Sequence, residues 1–424
     1  MKSGRQLRVT VVARAVLPLH GFGGLERSVR DLVRHLAASD VDVTLIVPPS
    51  SQVQRRSAGD PFASPRIHLR HVNYVTFPFA NRRGTTILDR STAYLVYGQR
   101  AGRLAGTLAA AGEADIVHGF GASVLGYARM RNRPAPLVLN PQGLEEFGAT
   151  LTRQPALKRA GYGPLRWAVR RCAKAASCII ATDVALEATV ARHLKPSPGQ
   201  MRTVPNGIDL VEVTALAGPA EGAIMRQRHG IGASDFVIVS AGRLERNKGF
   251  ADLAAAIGQA SAAGALGGSS WHWIVAGAGP DRAAIEDAVE RAGISARTRF
   301  VGRVQDPELH AWYEAASLFA HPTRYEGSSL VTLEAMAHRR PIVATRAGGL
   351  PDKVRPGING WLVEPGDVGA LSRALVEAAT AGPALASMGV ASRALVEREF
   401  AWTALAKKQI AIYEELLTGN RSTQ

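Results

Sequence analysis

The chain has 424 residues, 46% of them apolar, and a formal net charge of +16; that length exceeds what one hydrophobic core organises and implies two domains. Its only cysteines, Cys172 and Cys178, cannot build a disulfide framework, and no stretch approaches the roughly 20 apolar residues that span a bilayer. A disulfide-stapled secreted scaffold and a helical membrane protein are therefore excluded, and a cytoplasmic location is expected.

In chain order, the run Val9-Thr10-Val11-Val12 is β-branched and reads as a buried strand over residues 8–12. Arg14 interrupts it, which argues against a secretory leader. Next comes Gly21-Phe22-Gly23-Gly24, where glycine permits close approach of a backbone to a diphosphate. A helix over 25–38 follows, with Leu25, Val29, Leu32, Val33 and Leu36 on one face. Further strands are expected at 43–47, 116–117, 137–139 and 178–181, with His118 ending the second of these. The strand at 137–139 runs into Asn140-Pro141-Gln142-Gly143, with Glu145 and Glu146 close behind.

Two stretches are less regular. Residues 50–100 interleave Arg82 and Arg83 with Tyr74, Phe77 and Phe79. Residues 153–174 carry Arg153, Lys158, Arg159, Arg166, Arg170, Arg171 and Lys174 among Leu165, Trp167 and Val169. The second is either a basic amphipathic segment for a membrane surface or a helix packing an apolar stripe on the core.

Charge is unevenly placed. Residues 1–205 hold 29 Lys and Arg against 12 Asp and Glu, whereas 206–424 hold 22 against 23. All the excess sits in the first half, which implies an anionic partner there. No nucleic-acid motif accompanies it, so nucleic acid is not expected. The anionic inner leaflet of a membrane is the better candidate, which would make the protein peripheral on that face. An Arg-rich surface that only aids solubility is the plain alternative.

Pro205-Asn206-Gly207 is turn chemistry between two strand–helix alternations. It divides the chain into domains 1–205 and 206–401, with a last helix from about 402 carrying Leu405, Ile410, Ile412 and Leu416. In the second half strands are expected at 236–240, 273–276, 299–301, 318–320 and 341–344, with helices between them. Such alternation implies α/β domains with doubly wound sheets and a cleft between two facing units. Arg243 and Lys248 directly follow the strand at 236–240, where such sheets hold ligands. No Asp-x-Asp run lies beside a strand and no His/Cys cluster is present, so no metal or other cofactor is expected. The dinucleotide fingerprint fails twice on spacing, at Glu26 and at Arg282.

The most informative segment is Tyr325-Glu326-Gly327-Ser328-Ser329-Leu330-Val331-Thr332-Leu333-Glu334. Glu326 falls in a loop, the serines are good N-caps, and Glu334 lies on a helix over 330–337. Unpaired N–H groups at such a helix start suit phosphate or sugar oxygens. Eight helical residues span roughly 12 Å, which fits an elongated ligand gripped near both ends. Two glutamates flanking a helix N-terminus also simply favour its dipole.

This segment resembles the E-x7-E signature of retaining family 4 glycosyltransferases, which adopt the GT-B fold. Segments in the family's order accompany it: Gly23-Gly24-Leu25-Glu26, Asp115-Ile116-Val117-His118, Val204-Pro205-Asn206-Gly207, Gly242-Arg243-Leu244-Glu245-Arg246-Asn247-Lys248-Gly249, Gly277-Ala278-Gly279-Pro280 and Gly348-Gly349-Leu350-Pro351. The resemblance implies a metal-independent transfer from a nucleotide sugar to a glycan acceptor, phosphorylated or lipid-linked, in cell-envelope or exopolysaccharide synthesis. It implies that Arg243 and Lys248 bind the diphosphate and stabilise the leaving group. Glu334 would hold the ribose, while Glu326 and His118 would stand near the donor sugar. Gly23, Gly24 and the backbone of Gly327, Ser328, Ser329 and Leu330 would line the donor. Many members have Gly-Phe-Gly where Gly327-Ser328-Ser329 stands, and a His-Gly pair where Gln142-Gly143 stands. A GT-B epimerase or phosphorylase, and a non-catalytic basic module, are the competing readings.

Overall fold

The computed structural model describes residues 6–21, 23–50, 61–75, 86–141, 144–147, 160–266 and 270–419. Phe22, Phe77, Phe79, Arg82, Arg83, Gln142, Gly143, Arg153, Lys158 and Arg159 lie outside the described residues. The chain divides into two compact units. One runs to Asn206 and takes in the segment from Trp402; the other is Gly207–Ala401.

Seven parallel strands build the first unit: β1 (Arg8–Val12), β2 (Asp42–Val47), β3 (Ile67–His71), β4 (Ile116–Phe120), β5 (Leu137–Asn140), β6 (Cys178–Ala181) and β7 (Met201–Thr203). Their order is β3-β2-β1-β4-β5-β6-β7. Alternation along the strands feeds two cores. Val9, Val11, Val43 and Leu45 pack with Val29, Leu32, Val33 and Leu36 of the helix Gly24–Ala38. Val12, Ile46, Val117 and Leu139 pack on the opposite face with Tyr97, Ala101 and Ala105. Leu405, Ile412 and Tyr413 of the helix Trp402–Gly419 complete the first core, and His35 stacks on Trp402 at 6.1 Å.

The second unit has six parallel strands: β8 (Phe236–Ala241), β9 (Trp271–Ala276), β10 (Thr298–Gly302), β11 (Leu318–His321), β12 (Ile342–Thr345) and β13 (Gly360–Val363). Their order is β10-β9-β8-β11-β12-β13. Chain direction across the sheet reverses between β8 and β11, so the loops after these strands diverge and leave a crevice at their C-terminal ends. Phe319, Ile342 and Val239 pack against Trp312, Tyr313, Leu333 and Met336 on one face. Ile238, Trp273 and Val275 pack against Leu253, Ile257 and Leu375 on the other.

Three strands, β3, β7 and β13, were not expected from sequence. Each is at a sheet edge and only partly buried, so its apolar pattern is weak. β4 continues two residues past Val117 and His118 to end at Phe120. The helix Gly163–Ala175 buries Leu165, Ala168, Val169 and Cys172, and leaves Trp167 53% exposed.

Candidate functional site

The crevice between β8 and β11 is built from loops that lock together. After β8, Arg246–Lys248 forms a single 3-10 turn closed by Gly249 at φ 69°. A Cβ at Gly249 would collide with the carbonyl oxygen of Pro322, so this turn lies directly on the loop after β11. The backbone of Asn247 accepts from the Arg324 N–H at 2.7 Å and from the Thr323 hydroxyl at 3.1 Å. Arg324 is bidentate to Asp252, both contacts 2.7 Å. The loop after β12 joins them through the Gly349 N–H, 2.8 Å from the Gly327 carbonyl.

These contacts place Lys248 against Glu326. Lys248 Nζ is 2.8 Å from Glu326 Oε2, and Nε2 of His321, the last residue of β11, is 3.0 Å from the same oxygen. The Glu326 side chain is 15% exposed. Burial pushes its pKa up, but the His321 hydrogen bond and charge and the Lys248 ammonium outweigh that and hold it at about 2. It is a carboxylate at any ordinary pH.

Ser329 caps the helix Leu330–Ala337, accepting from the Thr332 N–H. Glu334, one face further along, is buried, and its Oε2 accepts from the Tyr313 hydroxyl at 3.1 Å. Lys353 is wholly buried behind the loop, with Nζ 3.2 Å from both Ser328 Oγ and the Gly349 carbonyl. Beneath Tyr313, His310 Nδ1 meets His338 Nε2 at 2.7 Å, and His338 Nδ1 meets Glu314 Oε1 at 2.7 Å.

Arg243 is not drawn into this cluster. Its side chain is 72% exposed and pairs with Glu245 at 3.0 Å. Its backbone is nonetheless fixed: Gly242 N–H donates to Ala276, and Leu244 N–H donates to Ala278, so the loops after β8 and β9 are joined. In the first unit, Gly23 is the N-cap of the helix that Gly24 begins, and no side chain caps that end. His118 does not end its strand as expected; it sits inside β4, buried, with Nδ1 2.6 Å from the Tyr413 hydroxyl. Burial lowers its pKa to about 3, so it stays neutral. The neighbouring Gly119-Phe120 continues the ladder beside Leu139 and Asn140, which is why the strand outruns its apolar signal.

Sequence reasoning passed over His321, Thr332, Tyr313 and Lys353. His321 was findable, because it follows the strand expected at 318–320 as directly as Arg243 follows its own. The others sit on helices with no spacing that marks them. Among the described residues no group of three His, Cys, Asp or Glu is placed to hold a metal ion, and no single helix is long and apolar enough to cross a membrane.

Comparison with known proteins agrees with this arrangement. A family model described as Glycosyltransferase Family 4 matches residues 22–212, and one described as Glycosyl transferases group 1 matches residues 235–381. The D-inositol 3-phosphate glycosyltransferase 1 of Catenulispora acidiphila is 31% identical over 64% of this chain and 66% of its own length. The 2-deoxystreptamine glucosyltransferase of Streptomyces kanamyceticus is 31% identical over 49% and 51%. The chain thus spans between half and about two thirds of the length of these curated relatives.

Among solved structures, the sucrose-phosphate synthase of Thermosynechococcus elongatus superposes with a TM-score of 0.72 at 22% identity, covering 98% of this chain and all of that one. Anabaena HepE in complex with UDP-glucose gives 0.67 at 19%, covering 99% and 100%. WaaG, a glycosyltransferase of lipopolysaccharide biosynthesis, gives 0.68 at 19%, covering 96% and 99%. At these identities the likeness is one of fold, and with the two parallel-sheet units it shows a GT-B Rossmann-like architecture. Two α/β units with family signatures in sequence order identify the chain: it belongs to the group 1, family 4 glycosyltransferases.

Proposed function

We propose that this protein is a retaining hexosyltransferase that moves a sugar from a nucleotide sugar to a hydroxyl of a glycan or lipid-linked acceptor without a metal ion. The observation that carries the reading is the grip of Lys248 and His321 on one oxygen of Glu326, at the crevice where the second sheet reverses.

The chemistry follows from charge. When the bond from the anomeric carbon to phosphate breaks, the electron pair leaves on the nucleoside diphosphate. Lys248 has further N–H groups for that phosphate, and the exposed Arg243 is free to turn towards it. The backbone N–H groups from Gly327 to Leu330 face phosphate and sugar oxygens. Glu326 accepts from a sugar hydroxyl, and Glu334 accepts from the ribose. The acceptor hydroxyl attacks the face the diphosphate leaves, and its proton passes to the departing phosphate.

The acceptor class rests on charge and kinship. The first half carries the whole basic excess, and relatives are named for inositol phosphate and aminocyclitol acceptors. An anionic or lipid-linked polyol at the cytoplasmic face of a membrane fits both. The helix Gly163–Ala175 presents Trp167 to solvent beside Arg170, Arg171 and Lys174, a composition that suits an anionic leaflet.

The test is a panel of UDP-, GDP- and ADP-sugars, screened by thermal shift and then by transfer to D-inositol 3-phosphate and lipid-linked glycans. We expect one nucleotide class to raise the midpoint, a product of unchanged anomeric configuration, and no loss on adding EDTA. An inverted product or EDTA inhibition overturns the mechanism, and donor turnover without any acceptor product points to an epimerase. Full-length protein should pellet with anionic vesicles and not with neutral ones; equal behaviour removes the membrane assignment.

A further inference from the structure

Behind Glu326 a chain of hydrogen bonds runs through His321 to the cap of the helix Leu330–Ala337. An ionised carboxylate only accepts, so the His321 nitrogen that faces it, Nε2, carries the proton. The other ring nitrogen, Nδ1, is 2.9 Å from Thr332 Oγ1 and 3.3 Å from Ser329 Oγ. Thr332 Oγ1 is also 2.9 Å from Ser329 Oγ, and Ser329 accepts the Thr332 N–H as the helix cap, at 3.3 Å. All three side chains are buried, so water does not compete for these positions and the ring is held from its far side.

The consequence falls on the carboxylate. Lys248 and His321 both donate to Oε2, while Oε1 accepts from no described residue. We propose that His321 is a positioning residue: with its ring held by Thr332 and Ser329, it pins Glu326 by Oε2 and presents Oε1 as the acceptor for a ligand hydroxyl. The sugar as that ligand rests on the function proposed above; the pinning does not. It ties the cap of the donor-side helix to the orientation of the carboxylate, so cap and carboxylate are set together.

Full-length protein labelled with 15N-histidine and 13C-glutamate tests it by NMR. His321 should show a protonated Nε2 hydrogen-bonded to a carboxylate, and Thr332→Val should disturb the Nδ1 signal. The ionisable groups facing Glu326 among the described residues are Lys248 and His321, so its titration reads both. His321→Gln keeps an amide donor near the Nε2 position, whereas His321→Asn keeps only the Nδ1 contact. Loss of the ring should raise the Glu326 midpoint in both variants, and by about one unit more in the Asn variant, which also loses the Nε2-like donor.

With the donor found by the panel, kcat should fall roughly 10- to 100-fold for Asn and less than about fivefold for Gln, with KM little moved. Equal thermal midpoints in the two variants exclude a folding effect. An Nε2 without its proton, or identical Glu326 midpoints in the Gln and Asn variants, overturns the proposal. A panel with no turnover defeats the transferase reading instead and leaves the NMR result to decide this one.

Discussion

Gly348 lies against Glu326 so closely that a Cβ added to it would overlap the Glu326 carbonyl oxygen, and its φ of 52° is one that side chains rarely adopt. The loop bearing the carboxylate therefore rests on the loop after β12. Gly348→Ala should push Glu326 away from Lys248 and His321. We expect a loss of about 2 kcal/mol in urea unfolding and a fall of roughly 100-fold in turnover. Gly357→Ala, also at positive φ but with open space around it, should match the stability loss in part and leave turnover intact.

Lys248 and Glu326 form a half-buried ion pair at 2.8 Å. Removing one partner strands the other, which costs more than removing both. Lys248→Met should destabilise the protein by about 3 kcal/mol at pH 7, and the double variant Lys248→Met with Glu326→Gln should recover most of that. Denaturant midpoints of the four proteins give the coupling directly.

The depressed pKa of Glu326 fixes the sign of an acid effect. Its folded value of about 2 lies below the ordinary 4.5. The unfolded chain takes up this proton first as pH falls, so the stabilisation is complete above 4.5 and is lost between there and 2. The whole term is on the order of 3 kcal/mol, of which about 2 should be gone by pH 3. Glu326→Gln should be correspondingly less sensitive between pH 6 and pH 3. Parallel urea curves for the two proteins across that range would contradict it.

Tyr413 donates to or accepts from His118 Nδ1, and His118 Nε2 is buried with no partner among the described residues. Tyr413→Phe would leave the ring with neither nitrogen paired. A loss of about 1–2 kcal/mol is expected. Because burial keeps His118 neutral down to about pH 3, the loss should be the same at pH 6 and pH 8.

Much of the fold was legible because its central strands are continuous apolar runs. β8, β11 and β12 each lie in a stretch such as Phe236-Val237-Ile238-Val239, buried on both faces. The helix Leu330–Ala337 was equally plain, with its cap serine marking the start. Three of the four edge strands escaped notice: Ile67-His68-Leu69-Arg70-His71, for one, is half exposed and carries three polar residues. Of the two carboxylates and two cations expected, Lys248 and Glu326 meet directly, while Arg243 stands apart from them. Arg243 turns instead to Glu245, two residues along the chain. The partner that Glu326 takes besides Lys248 is His321, five residues upstream, marked in the sequence only by its place directly after an expected strand.

The helix Trp402–Gly419 closes the core of a unit whose other elements all precede residue 207. During synthesis that unit must therefore wait while the ribosome makes the whole of Gly207–Ala401. At roughly 5–20 residues per second the delay is on the order of 10–40 s. Through that interval Val9, Val11 and Leu36 lack their final cover, so nascent chains stalled before Trp402 should be the species that chaperones hold.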